Sequence, residues 1–183
     1  MADVAALSVP LGEGDVQLAL FAAHYIEPLR AACARDPDIW AIYPVSWSGP
    51  RFDTSLAAVE AAQRDKGWVC YVVLHRGAVV GMTCYIAPDA ASHVVELGSS
   101  YIEPSVRGTG LNSIMKRLMI AHAFACGFTR IEIRVDTRNQ RSMAAVRKLG
   151  AVQEGVLRRN RVTWTGYVRD TAIFGLLADD WVQ

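Results

Sequence analysis

The feature that most constrains this chain is a glycine-rich turn between a predicted strand and a predicted amphipathic helix. It lies in Gly98-Ser-Ser-Tyr-Ile-Glu-Pro-Ser-Val-Arg-Gly-Thr-Gly-Leu-Asn112, where Pro104 stops the strand and the helix follows the second turn glycine, Gly110. A glycine turn that opens a helix directs several unpaired backbone N–H groups at one spot, and the helix dipole adds partial positive charge there. The sequence therefore predicts a seat for phosphate or pyrophosphate, and so a phosphate-bearing cofactor, at residues 107–112.

Two nucleotide-binding motifs that place glycines before a helix do not match this turn. A Rossmann fingerprint needs a third glycine three residues after Gly110, where Ser113 stands. A P-loop needs Gly-Lys-Ser/Thr, and this turn contains no lysine. A tight connection with a purely structural role stays open on the turn alone.

Composition narrows the class of protein. The 183 residues are 52% hydrophobic and 20% charged with a formal net charge of +1, which predicts one globular domain over residues 1–183 and does not favour nucleic acid or a membrane as partner. No secretory signal and no apolar run of about 18 residues are visible, so we expect a cytoplasmic protein without a membrane span. The cysteines show neither C-x-x-C nor metal-ligand spacing, which predicts free, mostly buried thiols and no metal. They are Cys33, Cys70, Cys84 and Cys126.

Hydrophobic periodicity predicts a mixed α/β (α+β) fold whose central sheet is mostly antiparallel, has about seven strands and is flanked by helices. The strands are expected at residues 15–21, 68–75, 78–86, 93–102, 129–135, 152–164 and 167–177. The helices are expected at residues 22–35, 53–66, 109–126 and 140–149. The strand, helix and strand within residues 93–135 would supply the parallel pair.

The turn and three other stretches carry a resemblance to a known family. Pro104-Ser-Val-Arg-Gly-Thr-Gly-Leu-Asn112 is similar to the signature turn of the GNAT superfamily, the acyl-CoA-dependent N-acetyltransferases. The others match in order and spacing: Val95-Glu-Leu-Gly98, Asp136-Thr-Arg-Asn-Gln-Arg-Ser142 with Lys148-Leu-Gly-Ala151, and Glu154-Gly-Val-Leu-Arg-Arg159 with Tyr167-Val-Arg-Asp-Thr171. Together they most resemble the RimJ/RimL-like branch, the ribosomal-protein Ala/Ser N-terminal acetyltransferases. The resemblance covers essentially the whole chain, and its departure is Ser105, where the superfamily usually has Gln or Arg.

This resemblance implies acetyl-CoA as cosubstrate, bound where the strands at about 94–102 and 129–135 splay apart. The amides of the turn would hold the pyrophosphate, and strand backbone together with a helix N-cap would hold the pantetheine arm. A main-chain N–H near Ser99 and Ser100 would polarise the thioester carbonyl. The implied binding residues are Ser99, Tyr101, Ile102, Arg107, Gly108, Thr109, Gly110, Leu111, Asn112, Asn139 and Ser142.

The helix after the predicted strand 129–135 carries the next candidates. Asn139 fits an N-cap, and the family position binds the pantetheine arm; the two roles are compatible. Many members place a tyrosine seven residues later as general acid for the thiolate, but Val146 stands there. Ser142, one turn into the helix, is therefore the catalytic candidate for contact with the leaving sulfur, with a plain early-helix serine as the alternative.

Acetyl transfer to an amine also needs a base, because only the neutral amine is a nucleophile. Glu96 is the catalytic candidate, since it lies on the strand expected to line the cleft and matches a carboxylate position common in the family. The alternative is a polar residue on a half-exposed strand. Glu103, before Pro104, fits the end of a strand better than a base.

Other polar and aromatic residues leave two interpretations open. Lys116 and Arg117 follow the turn and could meet the 3′-phosphate of CoA or be solvated. The arginines of the last hairpin could contact an acidic acceptor or form a solvated strand face; they are Arg158, Arg159 and Arg161. The aromatic residues after the first helix could line the acceptor site or belong to the core; they are Trp40, Tyr43, Trp47 and Phe52.

The sequence thus predicts an N-acetyltransferase that moves the acetyl group of acetyl-CoA directly to a primary amine in a ternary complex. The acceptor partner would be a protein N-terminus or a small-molecule amine, and a homodimer is left open. A non-catalytic acyl-CoA-binding sensor is the alternative, supported by the missing tyrosine at Val146.

Overall fold

The structure, a computed structural model, describes residues 1–181 of the 183-residue chain. Its strands are β1 Leu11–Glu13, β2 Val16–Leu20, β3 Val69–His75, β4 Ala78–Asp89, β5 Val94–Ile102, β6 Arg130–Asp136, β7 Val152–Val162 and β8 Val168–Leu177. Its α-helices are α1 Ile26–Ala34, α2 Phe52–Lys66, α3 Leu111–Ala125 and α4 Gln140–Lys148. Short 3-10 turns lie between them, including Pro37–Ile42 and Pro104–Val106.

Over residues 1–181 the strands form one open, mixed sheet in the order β1-β2-β3-β4-β5-β6-β8-β7. Every neighbouring pair is antiparallel except β5 and β6, which are joined through α3. This confirms the predicted α/β fold and its parallel pair. It also extends the predicted seven strands to eight, because the three residues of β1 are too few to show a period in the sequence.

The core lies on both faces of the sheet. On one face, α3 packs Met115, Met119 and Ile120 against inward residues of the strands. On the other face, α1, α2 and the aromatic segment after α1 pack together, with Trp40, Trp47 and Phe52 buried. Core packing is therefore the role that the structure gives these three aromatic residues.

The parallel strands separate soon after they begin to pair. Only Val94, Val95 and Glu96 of β5 lie in register with β6, opposite Arg130, Ile131 and Glu132. The rest of β5, from Leu97 to Ile102, has no partner on that side, while β6 continues beside β8. The sheet is therefore splayed between β5 and β6, as predicted.

The expectation of free thiols was wrong for two cysteines. Cys70 and Cys84 lie directly opposite each other on β3 and β4, with their Cα atoms 4.2 Å apart, and form a disulfide. The spacing of cysteines along the sequence does not show which strand residues face each other, so the pair was not visible there. Cys33 and Cys126 are free and buried.

Candidate active site

The glycine turn has the backbone geometry that the sequence suggested. Gly108 and Gly110 have φ values of +80° and +90°, which side-chain-bearing residues rarely adopt. A Cβ added at either glycine would meet no heavy atom within 4 Å, so both face open space. Gly110 is the residue from which α3 begins.

Five consecutive backbone N–H groups, from Gly108 to Asn112, find no acceptor among residues 1–181. The series does not extend to Arg107, whose N–H donates to the carbonyl of Pro104 at 3.2 Å. The Arg107 side chain also points elsewhere, because it donates to the Ile102 carbonyl and pairs with Asp36. The free donors together with the N-terminus of α3 form a region of partial positive charge suited to a phosphate group.

β5 carries a bulge in the part that no longer pairs with β6. Met82 and Cys84 of β4 face Tyr101 and Gly98, so Thr83 faces both Ser99 and Ser100. Ser99 has a φ of +48°, in the left-handed region. A bulge of this kind turns backbone groups away from the β4 ladder, at the point where β6 has already diverged.

The carboxylate of Glu96 lies at the start of the splay. Glu96 is the last residue of β5 that pairs with β6, and its side chain is 23% exposed. A Cβ at position 98 would come within 3.3 Å of Glu96 Oε1, so the carboxylate leans over Gly98 towards the bulge. Burial raises the pKa of Glu96, and the neighbouring positive charge of Arg134, 3.3 Å from Oε2, only partly opposes this effect.

Asn139 and Ser142 lie together at the N-terminus of α4, just beyond the C-terminal end of β6. The side chain of Asn139 accepts a hydrogen bond from the Ser142 N–H at 3.0 Å, which makes Asn139 the N-cap of the helix. The Ser142 side chain is half-buried and its hydroxyl has no hydrogen-bond partner among the described residues. Val146, on the same helix, is buried in the core.

The chain and its fold have counterparts among known proteins. The chain matches the Acetyltransferase (GNAT) family over residues 36–151. The chain belongs to the GNAT acetyltransferase family. It is therefore an acetyl-CoA-dependent acyltransferase.

Solved GNAT structures agree with this assignment. A probable acetyltransferase of the GNAT family from Chromobacterium violaceum ATCC 12472 is 30% identical, with 95% of this chain and 88% of that chain covered and a TM-score of 0.84. RimJ of Mycobacterium smegmatis, in complex with CoA-disulfide, is 19% identical over 97% of this chain and 91% of that chain, with a TM-score of 0.84. RimL, a ribosomal L7/L12 alpha-N-protein acetyltransferase, is 16% identical over 90% and 91%, with a TM-score of 0.79. The similarity to RimJ and RimL shows a shared fold. A search of curated proteins found no match to the chain.

The residues present in this GNAT chain fit acetyl-CoA. The free amides of Gly108–Asn112 supply donors for a diphosphate, and glycine leaves the space that a phosphate needs for close approach. Beyond Glu96, β5 has no paired strand on the β6 side, which leaves its backbone there available to a ligand. The Ile102 carbonyl already accepts a hydrogen bond from the Arg107 side chain at 2.8 Å.

Within residues 1–181, no helix combines the length and apolar character needed to cross a bilayer. Over the same residues, no group of three or more His, Cys, Asp or Glu side chains is arranged to hold a metal ion.

The other polar residues singled out in the sequence fall in different places. Arg158 and Arg159, together with Tyr167, line an open concavity of the β7–β8 hairpin, and none of its lining residues belongs to the glycine turn. Lys116 is buried, so it is neither solvated nor free to reach a 3′-phosphate. Arg117 is exposed and pairs with Glu13 at 3.2 Å.

Sequence reasoning also missed one contact to the bulge. The Tyr43 hydroxyl, from the segment after α1, donates to the Ser100 carbonyl at 2.7 Å. The aromatic-rich composition of residues 36–50 was the only signal for this contact, and it did not distinguish Tyr43 from the core aromatics.

Proposed function

We propose that this GNAT protein transfers the acetyl group of acetyl-CoA directly to a primary amine in a ternary complex. The observation that carries the proposal is the opening between β5 and β6, with free turn amides at one end and the Glu96 carboxylate at the other. A base on β5 and an anion site in the turn that follows β5 suit a reaction that aligns a thioester with an amine.

In this proposal the donor binds along β5. The amides of Gly108, Thr109, Gly110, Leu111 and Asn112 hold the pyrophosphate, and the backbone of Tyr101 and Ile102 with the Asn139 side chain holds the pantetheine arm. The left-handed conformation of Ser99 turns a main-chain N–H towards the thioester carbonyl. Such a donor is most valuable where negative charge develops on the oxygen in the transition state.

In the chemical step a C–N bond and an O–H bond form while a C–S bond and an N–H bond break. The amine nitrogen attacks the thioester carbonyl carbon, Glu96 takes the proton from that nitrogen, and the carbon–sulfur bond then breaks. Ser142 donates a hydrogen bond to the departing thiolate, which compensates for the absence of a tyrosine at Val146. The raised pKa of Glu96 makes its carboxylate a stronger base than an exposed glutamate.

We assign the acceptor to the RimJ/RimL-like class, with a protein N-terminus as first choice and a small-molecule amine as second. The assignment is supported by the ordered sequence motifs and by a fold shared with RimJ and RimL. A non-catalytic acyl-CoA sensor is the second candidate function, because buried Val146 stands where many members of the family carry a tyrosine that acts as the general acid.

A panel of peptides with N-terminal Ala or Ser, together with small amines, tests the proposal by release of free CoA thiol. We expect turnover with at least one acceptor. Double-reciprocal plots of initial velocity against substrate concentration should give intersecting lines, as a ternary complex requires. Parallel lines would contradict direct transfer. Acetyl-CoA binding without turnover on any acceptor would favour the sensor.

A further inference from the structure

Lys116 is a buried lysine that the chemistry proposed above does not use. It lies in the second turn of α3 with 7% of its surface exposed. Its Nζ donates to Ser100 Oγ at 2.6 Å and to Thr83 Oγ1 at 3.4 Å. Within residues 1–181, no carboxylate pairs with this ammonium group.

Core packing does not explain a lysine at this position. Burying an ammonium without an opposite charge is unfavourable, and hydroxyl partners compensate only in part. The adjacent core positions of α3 hold Met115 and Met119, so a methionine would suit the surroundings of Lys116 and would carry no charge. The position therefore has a cost in stability that the packing of the fold does not require.

The lysine holds the bulge of β5 through Ser100. The Ser100 hydroxyl also contacts Thr83 Oγ1 at 2.8 Å and the Gly98 carbonyl at 3.2 Å, while the Ser100 carbonyl accepts from Tyr43. Neighbouring Ser99 is in the left-handed region, and β6 gives no support on the open side. The bulge is thus held on one edge by the β4 pairs on either side of it and otherwise by side chains, and Lys116 makes the shortest of the contacts to the Ser100 hydroxyl.

We propose that Lys116 is a positioning residue that keeps the Ser99–Ser100 bulge in the conformation that polarises the thioester carbonyl, a role that rests on the proposed function. A left-handed serine is favoured only where its surroundings impose it. A donor displaced by about 1 Å loses much of its effect on the transition state, while the rest of the acetyl-CoA site is untouched.

The test compares Lys116→Met with Lys66→Met, which makes the same change at an exposed lysine at the end of α2. For Lys116→Met we expect kcat to fall by about 10- to 100-fold. The dissociation constant of acetyl-CoA should stay within about twofold of the wild-type value, because the phosphate site is unchanged. Lys66→Met should match the wild type in both quantities.

A readout that does not depend on turnover is the infrared band of the thioester carbonyl of bound acetyl-CoA labelled with carbon-13. We expect the wild type to shift this band to lower frequency and Lys116→Met to reverse most of the shift. Ser100→Ala, which leaves the lysine in place, should show the same reversal and serves if Lys116→Met does not fold. Lys116→Met in the Ser100→Ala background should give little further loss of kcat.

The outcomes separate the two proposals. Unchanged kcat and an unchanged carbonyl band in Lys116→Met would overturn the positioning role and leave acetyl transfer standing. A wild-type protein that neither binds acetyl-CoA nor turns over would overturn the proposed function, and the role of Lys116 with it.

Discussion

Burial of Lys116 makes a quantitative prediction about stability and pH. Burial lowers its pKa from the ordinary 10.5 to about 8. One pKa unit corresponds to about 1.4 kcal/mol, so the protonated side chain costs the folded state about 3 kcal/mol at pH 7. Between pH 8 and 10.5 the unfolded chain keeps a proton that the folded chain has released. The contribution of this group to the free energy of unfolding therefore rises with pH in that window and is constant below it.

Urea unfolding of the wild type and of Lys116→Met at pH 7 and pH 10 measures this contribution. We expect the wild type to gain about 2–3 kcal/mol relative to the variant between the two pH values. The comparison removes the other titrating groups, since both proteins share them. Lys66→Met, at an exposed site, should show no such change. A constant difference between the wild type and Lys116→Met would refute the reasoning.

Substitutions at three residues test the remaining roles. Glu96→Gln should lower kcat by about 100-fold at pH 7 without weakening acetyl-CoA binding. The wild-type rate should fall with decreasing pH, with an apparent pKa higher than that of an ordinary glutamate. Full activity of Glu96→Gln would exclude Glu96 as the base. Asn139→Ala should lower the free energy of unfolding in urea by about 1 kcal/mol and weaken acetyl-CoA binding. Asn139→Asp should keep the helix cap, so it should restore stability but not acetyl-CoA affinity. Equal acetyl-CoA affinity in the wild type and both Asn139 variants would contradict the pantetheine contact. Ser142→Ala should slow single-turnover acetyl transfer with acetyl-CoA affinity retained, and a full-rate variant would remove Ser142 from the mechanism.

The longer elements could be predicted from the sequence because their periods are clear. The helix after Gly110 and the helix that ends at Gly67 both follow their apolar spacing, and Gly67 has the left-handed conformation of a helix stop. The parallel pair followed from a strand, helix and strand in succession. A family resemblance over several ordered motifs then fixed the fold.

Contacts between distant segments could not be predicted in the same way. The sequence shows that β3 and β4 are strands, but the opposition of Cys70 and Cys84 depends on register. The burial of Lys116 depends on two hydroxyl groups that β4 and β5 bring beneath α3. A charged residue within an amphipathic helix is ordinarily expected on the solvated face, and neither interpretation that the sequence left open for Lys116 placed it in the core.

The glycine turn lies between these two cases. Its glycines and the following helix predicted free amides, and the structure leaves those of Gly108–Asn112 without acceptors among residues 1–181. The direction of the Arg107 side chain could not be predicted, because the partner that draws its guanidinium away from the turn, Asp36, lies far off in the sequence. Local conformation could be predicted from local residues, whereas side-chain direction needed the tertiary structure.

The most direct test of the central claim is calorimetric titration of acetyl-CoA into Gly110→Glu and into Gly77→Glu. Gly77 has a φ of +80° and a Cβ there would also face open space, but it lies in the β3–β4 turn. The two variants therefore carry similar backbone strain and the same added charge. We predict that Gly110→Glu binds acetyl-CoA at least about 100-fold more weakly than the wild type, while Gly77→Glu binds normally. Equal affinity in Gly110→Glu and the wild type would contradict a phosphate site at this turn.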